Sequence, residues 1–225
     1  MSKKLKIFNV YWSSETAGVS PDNNRRTEIF LSGCKKATNG NPCKGCFNPD
    51  LWGDDYITRV SPEELLRQVK KFAPNKYITF VGGEPLDQLV PLAETCELLN
   101  KNGYHITVFS HYTIEEIDHM ESQESVKKFL TNIAILIDGE YKEEKKIYDK
   151  GNLGDGICQV IGSSNQVIWD LQSRKSAFVY GIEAIDLVAL YLTPNNVLKY
   201  ITKEDFCPHK EYFLKCMLGE IHHAA

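Results

Sequence analysis

The architecture of this chain is indicated by ten residues, Tyr77-Ile78-Thr79-Phe80-Val81-Gly82-Gly83-Glu84-Pro85-Leu86. The first five are aromatic or β-branched, which is typical of a strand buried in a sheet. The paired glycines and the proline end that strand and turn the chain toward a helix. A buried strand that leads through a turn into a helix is the repeating unit of a parallel sheet with crossover helices.

The segments on either side repeat this unit. Strands are expected at 5–12, 27–32, 104–109, 133–137, 157–161 and 167–169. Helices are expected from Ser61 onward and at 86–101, 113–120, 126–131 and 204–221. Short apolar strands that alternate with helices predict an α/β fold, here a partial (β/α)6 TIM-like barrel of parallel strands with crossover helices.

Composition limits the classes of protein to consider. The chain has 225 residues, of which 42% are hydrophobic and 25% charged, enough for one sizeable core. The net charge of -4 is spread without a basic block, which argues against a main affinity for nucleic acid or an anionic membrane. No apolar run approaches the roughly 20 residues that cross a bilayer, and residues 1–6 lead into a strand-like segment that is too short and polar for a signal peptide. We therefore expect a cytoplasmic protein.

The seven cysteines are the most informative residues. In a reducing compartment they are more naturally metal ligands, catalytic thiols or packed side chains than disulfide partners. Cys96 lies in an apolar-periodic stretch and Cys158 beside an apolar strand, so both are predicted to pack in the core. Cys207 and Cys216 flank His209 and are candidates for a second metal site, although a structural role is the more common one for such residues.

Three cysteines form the strongest motif. Cys34, Cys43 and Cys46 lie within thirteen residues on a loop rich in Gly, Pro and Asn that follows a predicted strand. Such a loop can wrap one metal centre. Three ligands are one short of a closed zinc site, whereas in an iron–sulfur cluster they leave one iron open to a substrate. A zinc knuckle completed by a distant Cys or His, or three unligated thiols, are the alternatives.

Two polar strings occupy strand ends. Gly82-Gly83-Glu84-Pro85 follows a buried strand, where ligands bind in parallel sheets, so the glycines would admit a ligand and Glu84 would pair with an ammonium group. The alternative is a tight strand-to-helix turn with an acid at the helix N-terminus. Gly162-Ser163-Ser164-Asn165-Gln166 carries small hydroxyl and amide side chains that can hydrogen-bond a ligand.

In order and spacing, these strings resemble the radical S-adenosylmethionine family, and within it the activating proteins of anaerobic ribonucleoside-triphosphate reductases. The matching features span about residues 29–170. They are a cysteine loop ending in Cys-aromatic-Asn-Pro with Trp52 close behind, Gly-Gly-Glu-Pro-Leu, the segment Ser110 to Glu116, the strand end Ile135 to Gly139, and Gly-Ser-Ser-Asn-Gln.

The resemblance implies a set of site residues. Cys34, Cys43 and Cys46 would ligate a [4Fe-4S] cluster whose fourth iron chelates the amino and carboxylate groups of S-adenosylmethionine. Glu84 would pair with the methionyl ammonium. The other implied cofactor contacts are Gly82, Gly83, Ser110, Asp138 and Asn165.

The implied reaction is the reductive cleavage of S-adenosylmethionine to a 5′-deoxyadenosyl radical. That radical would take a hydrogen atom from a backbone glycine of a glycyl-radical enzyme such as anaerobic ribonucleotide reductase, with an electron donor such as flavodoxin. A radical enzyme that modifies a peptide or small metabolite is the first alternative. A non-enzymatic zinc or iron–sulfur binding module, which would not need Glu84, is the second.

The chain departs from the resembled pattern in three respects. Eight residues separate Cys34 from Cys43, where the family loop usually has three. The Gly-x-Gly-x-x-Arg stretch of activating enzymes is not evident, and Gly18 with Arg25-Arg26 is its nearest equivalent. The tail exceeds that of small activating proteins, so we expect a core domain at 1–173 and a C-terminal extension at 174–225 that packs on it.

Overall fold

The computed structural model describes residues 4–14, 25–55, 57–146, 163 and 165–171, together with the backbone of 188–192 and 198–202. Several sequence predictions fall outside these ranges: the strand at 157–161, the helix at 204–221, Gly18, Cys158, Cys207, His209 and Cys216. The predicted domain division at residue 173 stays a prediction.

One sheet of nine strands organises the described part of the chain. Its strands are β1 (Leu5–Ser14), β2 (Arg26–Leu31), β3 (Thr58–Val60), β4 (Tyr77–Gly82), β5 (His105–Phe109), β6 (Ile135–Asp138), β7 (Val167–Asp170), β8 (Val188–Leu192) and β9 (Leu198–Thr202). They lie in the order β3-β1-β2-β4-β5-β6-β7-β8-β9. The central strands β2, β4, β5 and β6 are parallel, and the outer pairs are antiparallel. The α/β class is thus confirmed, with four parallel strands at the centre of the sheet.

Helices connect the parallel strands. They are α1 (Lys35–Thr38), α2 (Pro62–Phe72), α3 (Leu89–Lys101), α4 (Ile114–Asp118) and α5 (Gln123–Asn132). The Ser61 hydroxyl caps α2 by accepting a hydrogen bond from the Glu64 amide, as predicted. The helix expected over 86–101 is divided, because a 3-10 turn at Pro85–Gln88 precedes α3. Among the described helices, none has both the length and the apolar character to span a membrane.

The two faces of the sheet have different roles. Alternate residues of a strand point to opposite faces, and on β4 the buried Ile78 and Phe80 belong to one core with α2, α3 and α5. Cys96 of α3 is fully buried in this core, which confirms its predicted packing role. The next residue of β4, Val81, lines a cavity with Phe109 of β5. The central strands therefore carry the core on one face and the wall of a cavity on the other.

Candidate functional site

A cavity of about 550 Å³ opens where the parallel strands end. Parallel strands present their carboxyl ends at one edge of a sheet, which is where ligands of such folds bind. The cavity brings together seven of the nine site residues predicted from sequence: Cys34, Cys43, Cys46, Gly82, Gly83, Glu84 and Ser110.

The cysteine loop is joined to the strand ends through its backbone. The Cys34 amide donates to the Trp52 carbonyl at 3.0 Å, and the preceding Gly33 amide donates to the Leu51 carbonyl at 2.8 Å. On its other side, the Gly33 carbonyl accepts from the Glu84 amide at 2.7 Å. The first cysteine is therefore held between the end of its own loop and the turn after β4.

The paired glycines make this junction possible. A Cβ on Gly83 would lie 2.2 Å from the Gly33 carbonyl oxygen, and one on Gly82 would lie 2.2 Å from that of Leu31. Gly82 also has a φ of 119°, which side-chain-bearing residues rarely adopt. The glycines were expected to admit a ligand; the described contacts that demand their small size are with the backbone leading to Cys34. Their contact with a ligand stays a prediction.

Glu84 is a buried carboxylate in the cavity wall, only 1% exposed. Its Oε1 accepts from the Ser110 hydroxyl at 2.8 Å and the Leu86 amide at 2.9 Å, and its Oε2 accepts from the His111 amide at 2.8 Å. The bond from the Leu86 amide caps the 3-10 turn, so Glu84 has the structural role that the alternative prediction gave it, as an acid at the start of a helical turn. A carboxylate has about four acceptor sites. Three of these sites are used, so one acceptor site of Glu84 remains for a hydrogen-bond donor of a ligand.

Burial sets the protonation of Glu84. It raises the pKa of this carboxyl group to about 7, although the hydrogen bonds from His111, Leu86 and Ser110 oppose the effect. The His111 ring lies beside it, with Nε2 3.7 Å from Oε2. Burial lowers the pKa of His111, which keeps the imidazole neutral near pH 7.

The three cysteines of the loop are half-buried free thiols. Burial raises the pKa of the Cys34 thiol, and the charges of Glu84 and Asp87 add to the effect. Burial, with the charge of Glu140, raises the pKa of Cys43 to about 11. A thiolate at these positions needs a positive partner, and a metal supplies it because coordination deprotonates the thiol.

The donor set fits an iron–sulfur cluster. Across the described ranges, no three His, Cys, Asp or Glu side chains stand close enough to hold a single metal ion. A cluster binds its cysteines through separate iron atoms, so it does not require them to meet at one point. The three sulfurs around one cavity provide such an arrangement.

Two predicted contacts lie outside the cavity lining. The buried Asp138 accepts a hydrogen bond from the Ile114 amide at 2.7 Å and so holds the first turn of α4. The Asn165 amide group donates to the Glu140 carbonyl at 2.7 Å. Both side chains thus stabilise the loops that border the site through hydrogen bonds to the backbone. Their contact with a cofactor stays a prediction.

The motif analysis missed several other residues that line the cavity. Phe30 and Glu28 of β2, Val81, Phe109 and Tyr141 all face the cavity. Strand alternation would have found the first two, because they share a face of β2. Phe47 and Asn48, noted in the sequence as neighbours of the last cysteine, also line the cavity, and Phe47 packs on the Tyr141 ring at 4.8 Å between centroids.

Comparison with known proteins agrees with this site. Residues 23–169 match the profile of a family described as a 4Fe-4S single cluster domain. The pyruvate formate-lyase-activating enzyme of Clostridium pasteurianum is 32% identical over 101 residues, which are 43% of this chain and 40% of that enzyme. The enzyme of the same name from Listeria monocytogenes is 31% identical over 103 residues, 44% of this chain and 40% of that enzyme. The matched part thus spans about two fifths of these relatives.

A weaker likeness is found among solved structures. QueE from Escherichia coli overlaps with 49% of this chain and 53% of its own, at 18% identity and a TM-score of 0.38. The family match covers well over half of the chain and includes the cysteine loop, the turn after β4 and the ends of β5 and β6. A [4Fe-4S] cluster and S-adenosylmethionine are thereby confirmed as the cofactors, and the chain belongs to the 4Fe-4S single cluster domain family of radical S-adenosylmethionine proteins.

Proposed function

We propose that this protein cleaves S-adenosylmethionine reductively in order to install a glycyl radical on a partner enzyme. The observation that carries the proposal is the convergence of Cys34, Cys43, Cys46 and Glu84 on one cavity at the strand ends. The pyruvate formate-lyase-activating enzymes, by name, act on a partner enzyme, and they match this chain over 101 and 103 residues. A one-electron donor such as flavodoxin is part of the proposal, and the cytoplasmic location stays a prediction.

The cofactors supply the radical chemistry. A bound and reduced cluster would supply the one electron for the reductive cleavage of S-adenosylmethionine to methionine and a 5′-deoxyadenosyl radical, and that radical would take a hydrogen atom from the substrate. We assign the ligation of the cluster to Cys34, Cys43 and Cys46 as thiolates. The remaining acceptor site of Glu84 would accept a hydrogen bond from the amino group of the methionyl end, while the Ser110 hydroxyl orients the carboxylate.

The apolar part of the cavity wall excludes water. Phe30, Val81 and Phe109 form apolar surface on the sheet side of the cavity, next to the polar groups at the strand ends. An apolar wall restricts water around a reactive radical and so limits its side reactions. This division between polar rim and apolar wall supports a radical enzyme over a binding module.

A second function is favoured by one residue. Glu28 lies on the cavity face of β2, two residues before Phe30 and farther from the cysteines. Burial raises the pKa of its carboxyl group, and a hydrogen bond from Ser14 opposes this rise. A carboxylate in the cavity wall would suit a peptide or small metabolite that enters the cavity with a hydrogen-bond donor. Radical modification of such a molecule is the alternative function.

An anaerobic assay tests these proposals. The protein is reconstituted with iron and sulfide, reduced with dithionite and given S-adenosylmethionine, and 5′-deoxyadenosine is measured, with Cys43→Ala as the control. The same mixture is then incubated separately with pyruvate formate-lyase and with anaerobic ribonucleotide reductase, and glycyl radical is measured by electron paramagnetic resonance.

Each outcome separates the functions. A glycyl radical that is absent in the Cys43→Ala control supports the proposed activation. Formation of 5′-deoxyadenosine without a radical on either partner favours the peptide or metabolite enzyme. A fully loaded cluster that gives neither product, even with both partners present, favours a binding module and contradicts both enzymatic proposals.

A further inference from the structure

The eight-residue segment between Cys34 and Cys43 has defined anchors. It begins with α1, directly after Cys34. The Lys35 amide donates to Oδ2 of Asp87 at 2.6 Å, and the Lys35 ammonium lies 3.9 Å from Oδ1 of the same residue. The ammonium of the next residue, Lys36, lies 3.4 Å from Oε1 of Glu140, which follows β6. Two carboxylates from different strand ends therefore hold the start of this segment.

Asp87 is the more deeply placed of the two, with a side chain 7% exposed. It lies in the 3-10 turn at Pro85–Gln88, three residues after Glu84. Besides the Lys35 amide, it accepts a hydrogen bond from the Tyr112 hydroxyl at 3.1 Å. One carboxylate thus joins the turn after β4, the cysteine loop and the loop after β5. Burying a carboxylate is costly unless its oxygens are hydrogen-bonded, and here both are.

We propose that Asp87 is a positioning residue for the iron–sulfur cluster: it fixes the residue after Cys34 against the strand end, and its negative charge lowers the reduction potential of the cluster. Reduction adds one negative charge to the cluster, and a nearby anion disfavours that addition. The inference rests on the proposed cysteine ligand set, but not on the identity of the partner or the substrate.

The electrostatic part rests on position. Oδ2 of Asp87 lies 2.6 Å from the amide of Lys35, the residue bonded to Cys34, and its side chain is only 7% exposed. A buried charge this close to a cluster ligand acts on the cluster with little screening by solvent. The structural part rests on the bond to the Lys35 amide, which anchors the eight-residue segment between Cys34 and Cys43 where it begins.

Two substitutions separate charge from anchoring. Asp87→Asn removes the charge but keeps an oxygen that can accept from the Lys35 amide, whereas Asp87→Ala removes both. Each variant is reconstituted anaerobically, its iron and sulfide are measured before and after challenge with a chelator, and its midpoint potential is determined by redox titration followed by electron paramagnetic resonance. Glu124→Gln, on the exposed face of α5, controls for loss of a remote carboxylate, and Tyr112→Phe controls for loss of the second hydrogen bond.

We expect Asp87→Asn to retain iron as the wild type does and to have a more positive midpoint potential. Asp87→Ala should bind its iron about 10–100-fold more weakly, the usual effect of losing a residue that orients a metal ligand. Both controls should keep the wild-type potential. An unchanged or more negative potential in Asp87→Asn, or full iron retention in Asp87→Ala, would overturn the inference. If Asp87→Ala does not fold, the potential of Asp87→Asn still decides, and a wild type that binds no cluster refutes the ligand set instead.

Discussion

The indole Nε1 of Trp52 donates a hydrogen bond to the Sγ of Cys46 across 3.4 Å. The carbonyl of the same tryptophan accepts from the Cys34 amide at 3.0 Å. Trp52 therefore contacts the first and the last cysteine of the loop, one through its backbone and the other through its side chain. Hydrogen bonds to ligand sulfurs stabilise negative charge there and tune the potential of a cluster.

Trp52→Phe should lower the midpoint potential of the cluster. The phenyl ring keeps apolar contact but loses the donor to Cys46, so the reduced cluster loses stabilisation. The shift should be on the order of tens of millivolts, since about 59 mV corresponds to a tenfold change for one electron. Redox titration of the loaded protein measures it. Iron content should stay near that of the wild type, and a potential that is unchanged or higher would count against this role of the indole.

Gly83→Ala should destabilise the protein and reduce its iron content. The new methyl group would lie 2.2 Å from the Gly33 carbonyl oxygen and 2.8 Å from that of Leu51, and neither backbone atom can move without displacing Cys34. Overpacking of this kind costs about 1–3 kcal/mol, occasionally more. Denaturant unfolding and iron analysis provide the measurements.

Gly53→Ala is the matched control for this substitution. Its Cβ would meet only the Asp55 side chain at 3.7 Å, which is ordinary contact. It should keep both stability and iron. Equal behaviour of the two variants would contradict the importance of the Gly83 contact for Cys34.

Glu84→Gln should change how stability depends on pH. The folded-state pKa of Glu84, about 7, lies above its ordinary value of 4.5, so the folded protein prefers the protonated group. The stability that this preference supplies is fully present below pH 4.5 and is lost as pH rises through about 7. The free energy of unfolding of the variant, relative to that of the wild type, should therefore increase by roughly 2–3 kcal/mol as the pH rises from 5 to 8.

Urea unfolding of the iron-free proteins at several pH values measures this difference. Glu124→Gln removes an exposed carboxyl group from α5 and should follow the wild type throughout. A constant difference between Glu84→Gln and the wild type would show that burial does not perturb Glu84.

Arg26→Lys should be clearly less stable than the wild type. Arg26 is 1% exposed, and its guanidinium donates to the Thr79 hydroxyl at 2.7 Å and to the carbonyls of Ile78 and His105 at 2.5 and 3.1 Å. A lysine ammonium cannot reproduce this fork of donors, so buried carbonyls would lose their hydrogen-bond donor. The loss should lower the free energy of unfolding by about 3 kcal/mol.

The neighbouring Arg25→Lys should have little effect by the same denaturant assay. Arg25 is exposed and contacts the Ser13 hydroxyl at 3.4 Å. If Arg26→Lys were as stable as Arg25→Lys, the buried network would not be a source of stability.

Local patterns predicted the fold class because their physical causes are local. The strand Tyr77–Gly82 and the capped helix Pro62–Phe72 follow from apolar periodicity and from the Ser61-Pro62 start signal. The antiparallel pairing of β7 with β6 could not be foreseen in the same way, because it depends on the path of the chain between them.

The sequence by itself determined which chemistry the protein carries, because the identity and spacing of Cys34, Cys43, Cys46 and Glu84 specify thiolate and carboxylate donors on strand-end loops. Tertiary structure alone decided how those donors are held. The Asp87 bond to Lys35 joins residues 52 apart in the chain, and the Glu84 bond to Ser110 joins residues 26 apart. Such contacts depend on which strand ends become neighbours in the sheet, and that is settled by the packing of the whole core rather than by any single segment.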